Sequence, residues 1–333
     1  FRTNRTIKMD ALNLEAATAD LEKARDDIRV QVTRAYVQIL YDMEILQVAE
    51  RQVSIDSVQV DRLRAMLENG KASPSELAQQ EAALGQSRLT ATQASNTLNL
   101  SVLDLAQLLE LPSPSGFSIV VPEIPDCLAL PGAGPEDIYA SAVAVRPAVK
   151  AEQFRLEAAD MNIRIARSSL YPSLTLNGGI GSNFYKSNGY ESADFWGQMK
   201  NNFSQYVGLS LNIPIFTRFS TRNSIRSATL SRTRQMIQLE SVRKSLYKEI
   251  QQAWYNAVAS GAKLSSCTDA LDSAEKSFEL MAARYENGKA SITEFNESKN
   301  NVMKAQSDLA QARFENLFQI KLLDFYAGAE ISL

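Results

Sequence analysis

The same six residues, ENGKAS, occur at positions 68–73 and 286–291 of a chain of 333 residues. A shift of 218 residues (286 minus 68) also aligns the surrounding sequence without a gap across about the first 110 residues. An internal repeat of this length means that one structural unit occurs twice, so the fold of one copy predicts the fold of the other. The aligned pairs include Phe1 with Phe219, Ile7 with Ile225, Leu21 with Leu239, Tyr36 with Trp254, and Leu105 with Leu323.

Apolar residues recur every seven positions in each copy, which is the period of helices that wind around a neighbouring helix. In the first copy the series runs from Ile7 to Ala35, slips by four residues, and continues from Ile39 to Leu67. The second copy slips at the same place, and only Arg232 interrupts its series. After each hexapeptide the seven-residue period resumes. We therefore predict that each copy is a long helix, a tight turn and a returning helix, wound as a coiled coil.

The hexapeptides are predicted to be the tips of these helical hairpins. At about 1.5 Å per residue, the first long helix would be roughly 100 Å long, which exceeds any compact globular domain. A glycine in each hexapeptide suits the left-handed residue that ends a helix, and SPSE (73–76) and SITE (291–294) are capping boxes that begin the next helix. A glycine turn does not require the lysine that follows it, which leaves open a docking role for both tips. The candidate docking residues are Asn69, Gly70, Lys71, Asn287, Gly288 and Lys289.

The segment between the two copies contains three different patterns. Residues 111–135 are rich in Pro and Gly, which predicts an irregular linker with one short strand at Phe117–Val121. A helix follows over 136–171, with an interruption at Arg146 and Pro147.

From Ser173 onward the period changes to two, which predicts a β-hairpin within 172–216. Its strands have the length that crosses a bilayer as part of a barrel, although an ordinary hairpin packed on a soluble core has the same alternation. The connecting loop of 18 residues carries Tyr185, Tyr190, Phe195 and Trp196, and such an aromatic cluster is typical of a membrane interface. The predicted membrane-facing residues are Val207, Leu209, Leu211, Ile213 and Trp196.

Composition excludes several classes of function. The chain has no histidine, which removes the commonest general base and metal ligand, and no nucleophile, carboxylate pair or ligand cluster stands out. We therefore predict no enzyme activity, no cofactor and no metal. The net charge of −3 argues against nucleic acid as a partner. No window of the sequence is apolar enough for a membrane-spanning helix, and the first residues lack a signal peptide, so we expect the true N-terminus to be missing.

The order of these elements resembles the TolC-like outer-membrane efflux proteins. The resemblance covers essentially the whole chain, and it is carried by the order of the motifs and the two-copy layout. The shared features are an Ala-Arg approach to a strand, a strand that ends in Pro-Ile-Phe, and glycine-centred tips. In this chain they are Ala166, Arg167, Pro172 and Leu174, then Pro214, Ile215 and Phe216, and finally Gly70 and Gly288.

The resemblance implies a mainly α fold of the α-barrel type, with long coiled-coil hairpins in two structural repeats and a transmembrane-type β-hairpin. The corresponding β-hairpin of the first repeat is expected to be missing from this chain. It also implies a homotrimer in the outer membrane of a Gram-negative cell, with its helical part in the periplasm. The expected segments are 1–110 (first helical hairpin, tip at 68–76), 111–135 (equatorial linker), 136–171 (helix), 172–216 (β-hairpin) and 217–328 (second helical hairpin, tip at 286–294).

The function that the resemblance implies is a passive exit duct of a tripartite efflux or secretion system. Its partners would be a periplasmic adaptor, an inner-membrane transporter and outer-membrane lipid, and Glu294 and Glu297 are candidate gate carboxylates. Two alternatives stay open: a duct for type I protein secretion, and a structural periplasmic coiled-coil spacer. The apolar-out β-hairpin favours a duct, because a spacer has no use for such a face.

Overall fold

Two long helical hairpins dominate the computed structural model, which describes residues 2–111, 116–122, 130, 132, 134–186, 188–189, 194–329 and 331. The first helix of each hairpin has 67 residues, and their starting residues differ by the repeat shift of 218. The predicted helix, turn and returning helix are confirmed in both copies. In chain order the elements are α1 (Arg2–Glu68), α2 (Pro74–Leu108), α3 (Pro135–Val145), α4 (Pro147–Ser168), β1 (Ser173–Gly181), α5 (Phe195–Asn201), β2 (Ser204–Asn212), α6 (Ser220–Glu286) and α7 (Ile292–Ala327).

The chain divides into two compact units, whose boundaries fall inside helices. The first, here called the strand unit, contains 1–18 and 151–240, and the second, here called the tip unit, contains 19–150 and 241–333. In the tip unit, α1 packs on α7 through Val37, Leu40 and Phe314. None of the described helices is both long and apolar enough to cross a membrane.

The linker between the repeats differs from its prediction. Residues 117–121 are not paired in a strand. Instead, Ile119 packs against the cluster of Val37 and Phe314, and the Tyr36 hydroxyl donates a hydrogen bond to the carbonyl of Val120. Side-chain packing on the helices therefore holds this segment, rather than a β ladder. The predicted interruption after α3 is confirmed, because α4 begins at Pro147.

The two strands of the strand unit form an antiparallel hairpin with two different faces. On one face, Leu174 pairs with Leu211 and Leu176 pairs with Leu209. On the other face, the pairs are Thr175 with Ser210, Asn177 with Gly208, and Gly179 with Tyr206. The apolar face is uncovered, because the exposed fractions of its leucines and of Val207 are Leu174 65%, Leu176 71%, Val207 82%, Leu209 69% and Leu211 62%.

The second strand ends before the predicted end of the β-hairpin at residue 216. It ends at Asn212, so Ile213 lies just beyond the ladder. Pro214 follows and has no amide hydrogen to donate, which explains why the pairing does not continue.

Part of the predicted loop is helical. Trp196 lies on α5, a helix of seven residues. The helix begins where the Asp194 side chain accepts a hydrogen bond from the amide of Gly197 at 3.4 Å. Trp196 is 76% exposed and its ring makes an edge contact with Phe195, whose ring does the same with Phe184. Three of the four predicted aromatic residues are described, and Tyr190 lies outside the described residues.

Candidate functional site at the paired hairpin tips

Both tips of the tip unit have the same backbone turn. Gly70 has φ +67°, a left-handed conformation that favours glycine. Its amide donates to the carbonyl of Leu67 at 2.9 Å, and the amide of Lys71 donates to Met66 at 2.8 Å, which together form a Schellman motif. The second tip repeats this motif, with Gly288 at φ +66°, the amide of Gly288 to Tyr285 at 3.0 Å, and the amide of Lys289 to Arg284 at 2.8 Å.

The repeated asparagines belong to the same turn. Asn69 donates from its side-chain Nδ2 to the carbonyl of Ala65 at 2.7 Å, and Asn287 makes the equivalent bond to Ala283 at 2.7 Å. Local structure thus explains the asparagine and the glycine of each hexapeptide. The side chains of the two lysines that follow are exposed, and the turn uses only their backbone groups. A docking role for these ammonium groups stays a prediction.

Replacing Gly288 with alanine is expected to destabilise the protein by about 1–2 kcal/mol, because an L-residue is strained in the left-handed region. A matched control is Gly85→Ala, since Gly85 lies within the helix α2 and an added methyl group there meets no atom within 4 Å. The control should be stabilising by about 0.5–1 kcal/mol. Urea unfolding followed by helical circular dichroism measures both changes, and equal effects of the two substitutions would contradict the strained turn.

The returning helices begin with the predicted capping boxes. At the first tip, the amide of Ser73 donates to the Glu76 carboxylate at 2.8 Å, and the amide of Glu76 donates to the Ser73 hydroxyl at 3.2 Å. At the second tip, Glu294 accepts from the Ser291 amide at 2.7 Å and from the Ser291 hydroxyl at 2.8 Å. Glu294, predicted as a gate carboxylate, is therefore engaged in a helix cap. Glu297 lies three residues further along α7 and is exposed.

The cap makes the second tip sensitive to acid. The backbone hydrogen bond from Ser291, followed by its side-chain hydrogen bond, lowers the pKa of Glu294 below its ordinary value. A lowered pKa adds stability above the ordinary pKa, and this stability is lost as the pH falls through the lowered value. We expect the unfolding temperature of the wild type to exceed that of Glu294→Gln at neutral pH and to approach it near pH 3. A constant difference from pH 3 to pH 7 would contradict this assignment.

The two tips lie side by side and are linked by polar and apolar contacts. Arg62 Nη1 on α1 lies 3.0 Å from Glu286 Oε1 at the end of α6, and Gln79 Nε2 on α2 donates to Thr293 Oγ1 on α7 at 3.2 Å. Between them, Phe295 contributes to a buried cluster with Leu63 and Ile292. The ring of Phe295 stacks on Tyr285 with centroids 5.0 Å apart, and it lies 5.4 Å from Phe278. Burial raises the pKa of the Tyr285 hydroxyl above its ordinary value.

A buried ion pair lies inside the same helices. Lys299 on α7 and Asp56 on α1 are 3% and 2% exposed, and the Lys299 ammonium donates to Asp56 Oδ1. Gln80 on α2 donates to the same oxygen at 3.1 Å, and Gln52 donates to Oδ2 at 3.1 Å. Asn296 completes the set, because it donates to Gln80 Oε1 at 3.1 Å and accepts from the Lys299 ammonium at 3.0 Å. These five residues, the buried polar network, join three helices of the tip unit.

This network was not predicted from the sequence. A signal was present, because Asp56 and Gln80 stand three residues after the heptad positions Val53 and Leu77, and Lys299 stands four after Phe295. The spacing of three is the second core position of a heptad, where a polar residue specifies register at a cost in stability, and Lys299 occupies the position beside it. The network also distinguishes the repeats, since the shift of 218 aligns Asp56 with Ala274.

The sequence of the chain matches the profile of a known protein family. The sequence profile of the outer membrane efflux proteins matches residues 138–322, which is more than half of the chain. The chain belongs to the outer membrane efflux protein family.

Relatives in this family align with most of the chain. The outer membrane efflux protein BepC of Brucella suis biovar 1 is 22% identical over 321 residues, which cover 95% of this chain and 66% of BepC. Among solved structures, CusC superposes with a TM-score of 0.82 at 17% identity, covering 99% of this chain and 74% of CusC. The outer membrane protein VceC from Vibrio cholerae gives 0.78 at 19% identity, covering 99% of this chain and 77% of VceC. The chain thus has the α-barrel type of fold of these solved structures, and it spans about two thirds of the length of BepC.

Proposed function

We propose that the full-length protein is an outer-membrane exit duct of a tripartite export system. The observation that carries this proposal is the β-hairpin, whose apolar face is uncovered along its length while its other face is polar. Lipid on the apolar side and water on the polar side would satisfy both faces. Family membership and the two linked helical hairpins support the same function. In this proposal the protein is a trimer in the outer membrane, with its helical part in the periplasm.

The tips would form the periplasmic end of the duct. Lys71 and Lys289 are exposed there on two identical turns, so one partner surface can recognise both. We assign this surface to a periplasmic adaptor bound to an inner-membrane transporter, which supplies the energy. Opening would separate helices that the buried polar network and the Phe295 cluster now hold together.

Export can be tested in cells that lack the gene. A fluorescent efflux substrate should accumulate in these cells, and restoring the full-length gene should reverse the accumulation. Export of a set of dyes should be compared with export of a secreted protein. If the protein is a duct for protein secretion, restoring the gene should restore export of the secreted protein only. Normal handling of every cargo in the absence of the gene would contradict an export function.

Docking of the tips can be tested by photo-crosslinking in the same cells. A photoreactive residue at position 71 or 289 should give a crosslink to a periplasmic protein. The matched control is Lys276, whose side chain is 70% exposed on α6 and lies away from the tip. Crosslinks of equal yield from position 276, or none from either tip while export continues, would contradict the docking assignment.

A further inference from the structure

Basic residues are concentrated where the strands of the strand unit meet its helices. The whole chain has 38 acidic and 35 basic residues. By contrast, the segments 2–9, 161–181 and 204–239 contain no Asp or Glu at all. Their basic residues are Arg2, Arg5, Lys8, Arg164, Arg167, Arg218, Arg222, Arg226, Arg232 and Arg234.

The fold brings these segments together at one end of the hairpin. Ser173 pairs with Asn212, so the residues before β1 and after β2 leave the sheet side by side. Arg5 Nη1 on α1 donates to the carbonyl of Arg164 on α4 at 2.9 Å, which places the first turns of α1 beside the end of α4. Arg232 Nε on α6 lies 3.1 Å from Asp160, which joins α6 to the same helix.

Most of this positive charge faces solvent. Eight of these ten basic residues are exposed. We call six of the exposed ones the basic collar: Arg2, Lys8, Arg167, Arg218, Arg222 and Arg226. The three segments supply no carboxylate to neutralise them. Such a concentration of like charge costs electrostatic free energy in the free protein, and an anionic partner at this surface would recover it.

A polar groove lies between α4 and α6 within the same region. It has a volume of about 470 Å³ and is lined by Asn162, Asn223, Ser224, Ser227 and Ser231, with two alanines. Amide and hydroxyl groups can donate to phosphate oxygens, and arginine binds phosphate through paired N–H groups. The groove and the basic collar together offer the donors that a phosphate diester with a polar headgroup requires.

We propose that the basic collar binds the headgroups of anionic phospholipids in the membrane leaflet that faces the helices. The inference rests on the proposed function, because the apolar hairpin face would place this end of the strands at that leaflet. Charge complementarity selects the lipid, since each arginine or lysine near an anionic surface contributes about 1 kcal/mol of attraction. Bound anionic lipid would fix the depth of the protein in the membrane.

The test uses the full-length protein, purified in detergent and freed of lipid. Binding of fluorescent phosphatidylglycerol is compared with binding of phosphatidylcholine that has the same chains. The variant is Arg222→Gln with Arg226→Gln. The charge-matched control is Arg25→Gln with Lys276→Gln, whose side chains are 57% and 70% exposed on α1 and α6 of the tip unit.

We expect the wild type to prefer phosphatidylglycerol, and the preference to fall about fivefold for each collar arginine removed. The control variant should keep the preference, and 0.5 M salt should abolish it. Equal binding of the two lipids by the wild type, or competition by 10 mM inorganic phosphate alone, would overturn the proposal.

A second measurement separates this failure from that of the proposed function. In vesicles of brominated phosphatidylcholine, the fluorescence of Trp196 should be quenched if the hairpin is in the membrane, and the quenching should disappear in Trp196→Phe. Quenching without lipid preference would reject only the basic collar. Absence of quenching would reject the membrane position of the hairpin and, with it, the exit duct.

Discussion

Replacing Asp56 with alanine is expected to lower the free energy of unfolding by about 3–5 kcal/mol, because it leaves the Lys299 ammonium buried without its counter-charge. The loss should exceed that of an ordinary surface ion pair, which is worth about 0–1 kcal/mol. Lys276 and Asp272 provide that comparison, since their side chains are 70% and 62% exposed at 2.5 Å. Urea unfolding followed by circular dichroism at 222 nm measures the loss of stability on removing the aspartate of each pair, Asp56 or Asp272.

The matched control removes both charges. Asp56→Leu with Lys299→Met replaces the pair by apolar side chains of similar volume, and such replacements are often neutral or stabilising by about 1–4 kcal/mol. We therefore expect the double variant to recover most of the stability that Asp56→Ala loses, and only most of it, because Gln52 and Gln80 still lose their acceptor. The double variant also lacks the buried polar contact that specifies the register of the hairpins. If the double variant is as unstable as Asp56→Ala, packing rather than an unpaired charge explains the loss.

Replacing Phe295 with proline is expected to abolish export. The Phe295 amide donates to the Ser291 carbonyl at 3.1 Å in the first turn of α7, and proline removes this bond and clashes with that carbonyl. The backbone change alone costs about 3 kcal/mol or more. The ring contacts with Tyr285 and Phe278 are lost in addition. Export of the fluorescent substrate in restored cells is the readout.

Two further variants separate the backbone from the ring. Phe295→Leu keeps the amide and most of the apolar volume, so it should retain most export. Leu77→Pro removes the equivalent bond at the other tip, where the Leu77 amide donates to Ser73 at 3.3 Å, and it should also abolish export. Unchanged export in both proline variants, with normal protein levels, would contradict the assignment of the tips to the duct.

Local rules explain why so much of the helical fold could be predicted from sequence. Gly70 and Gly288 end their helices by adopting the left-handed conformation that glycine favours. Such a helix end depends on a few neighbouring residues, so it can be predicted from the local sequence. The capping boxes at Ser73 and Ser291 likewise involve residues three positions apart. The seven-residue period predicts that each helix packs against other helices, but it does not identify which helices these are.

The parts that were not predicted depend on contacts between distant residues. Lys299 contacts Asp56 across 243 positions, and only the packing of α7 against α1 shows that these two residues meet. The role of Glu294 had two readings from sequence, a cap and a gate, and the structure shows the cap geometry. The short helix that carries Trp196 was also missed, because the aromatic pattern of the loop gave no helical period.

The central claim is that the full-length protein provides a water-filled path through a membrane, and ionic conductance tests it most directly. The purified protein is inserted into a planar lipid bilayer, with insertion checked by quenching of Trp196. We predict stepwise conductance, larger for Asp56→Ala than for the wild type, because the tip helices part more easily without the buried ion pair. Inserted and folded protein that shows no stepwise conductance in either form would contradict the exit duct and favour a periplasmic spacer.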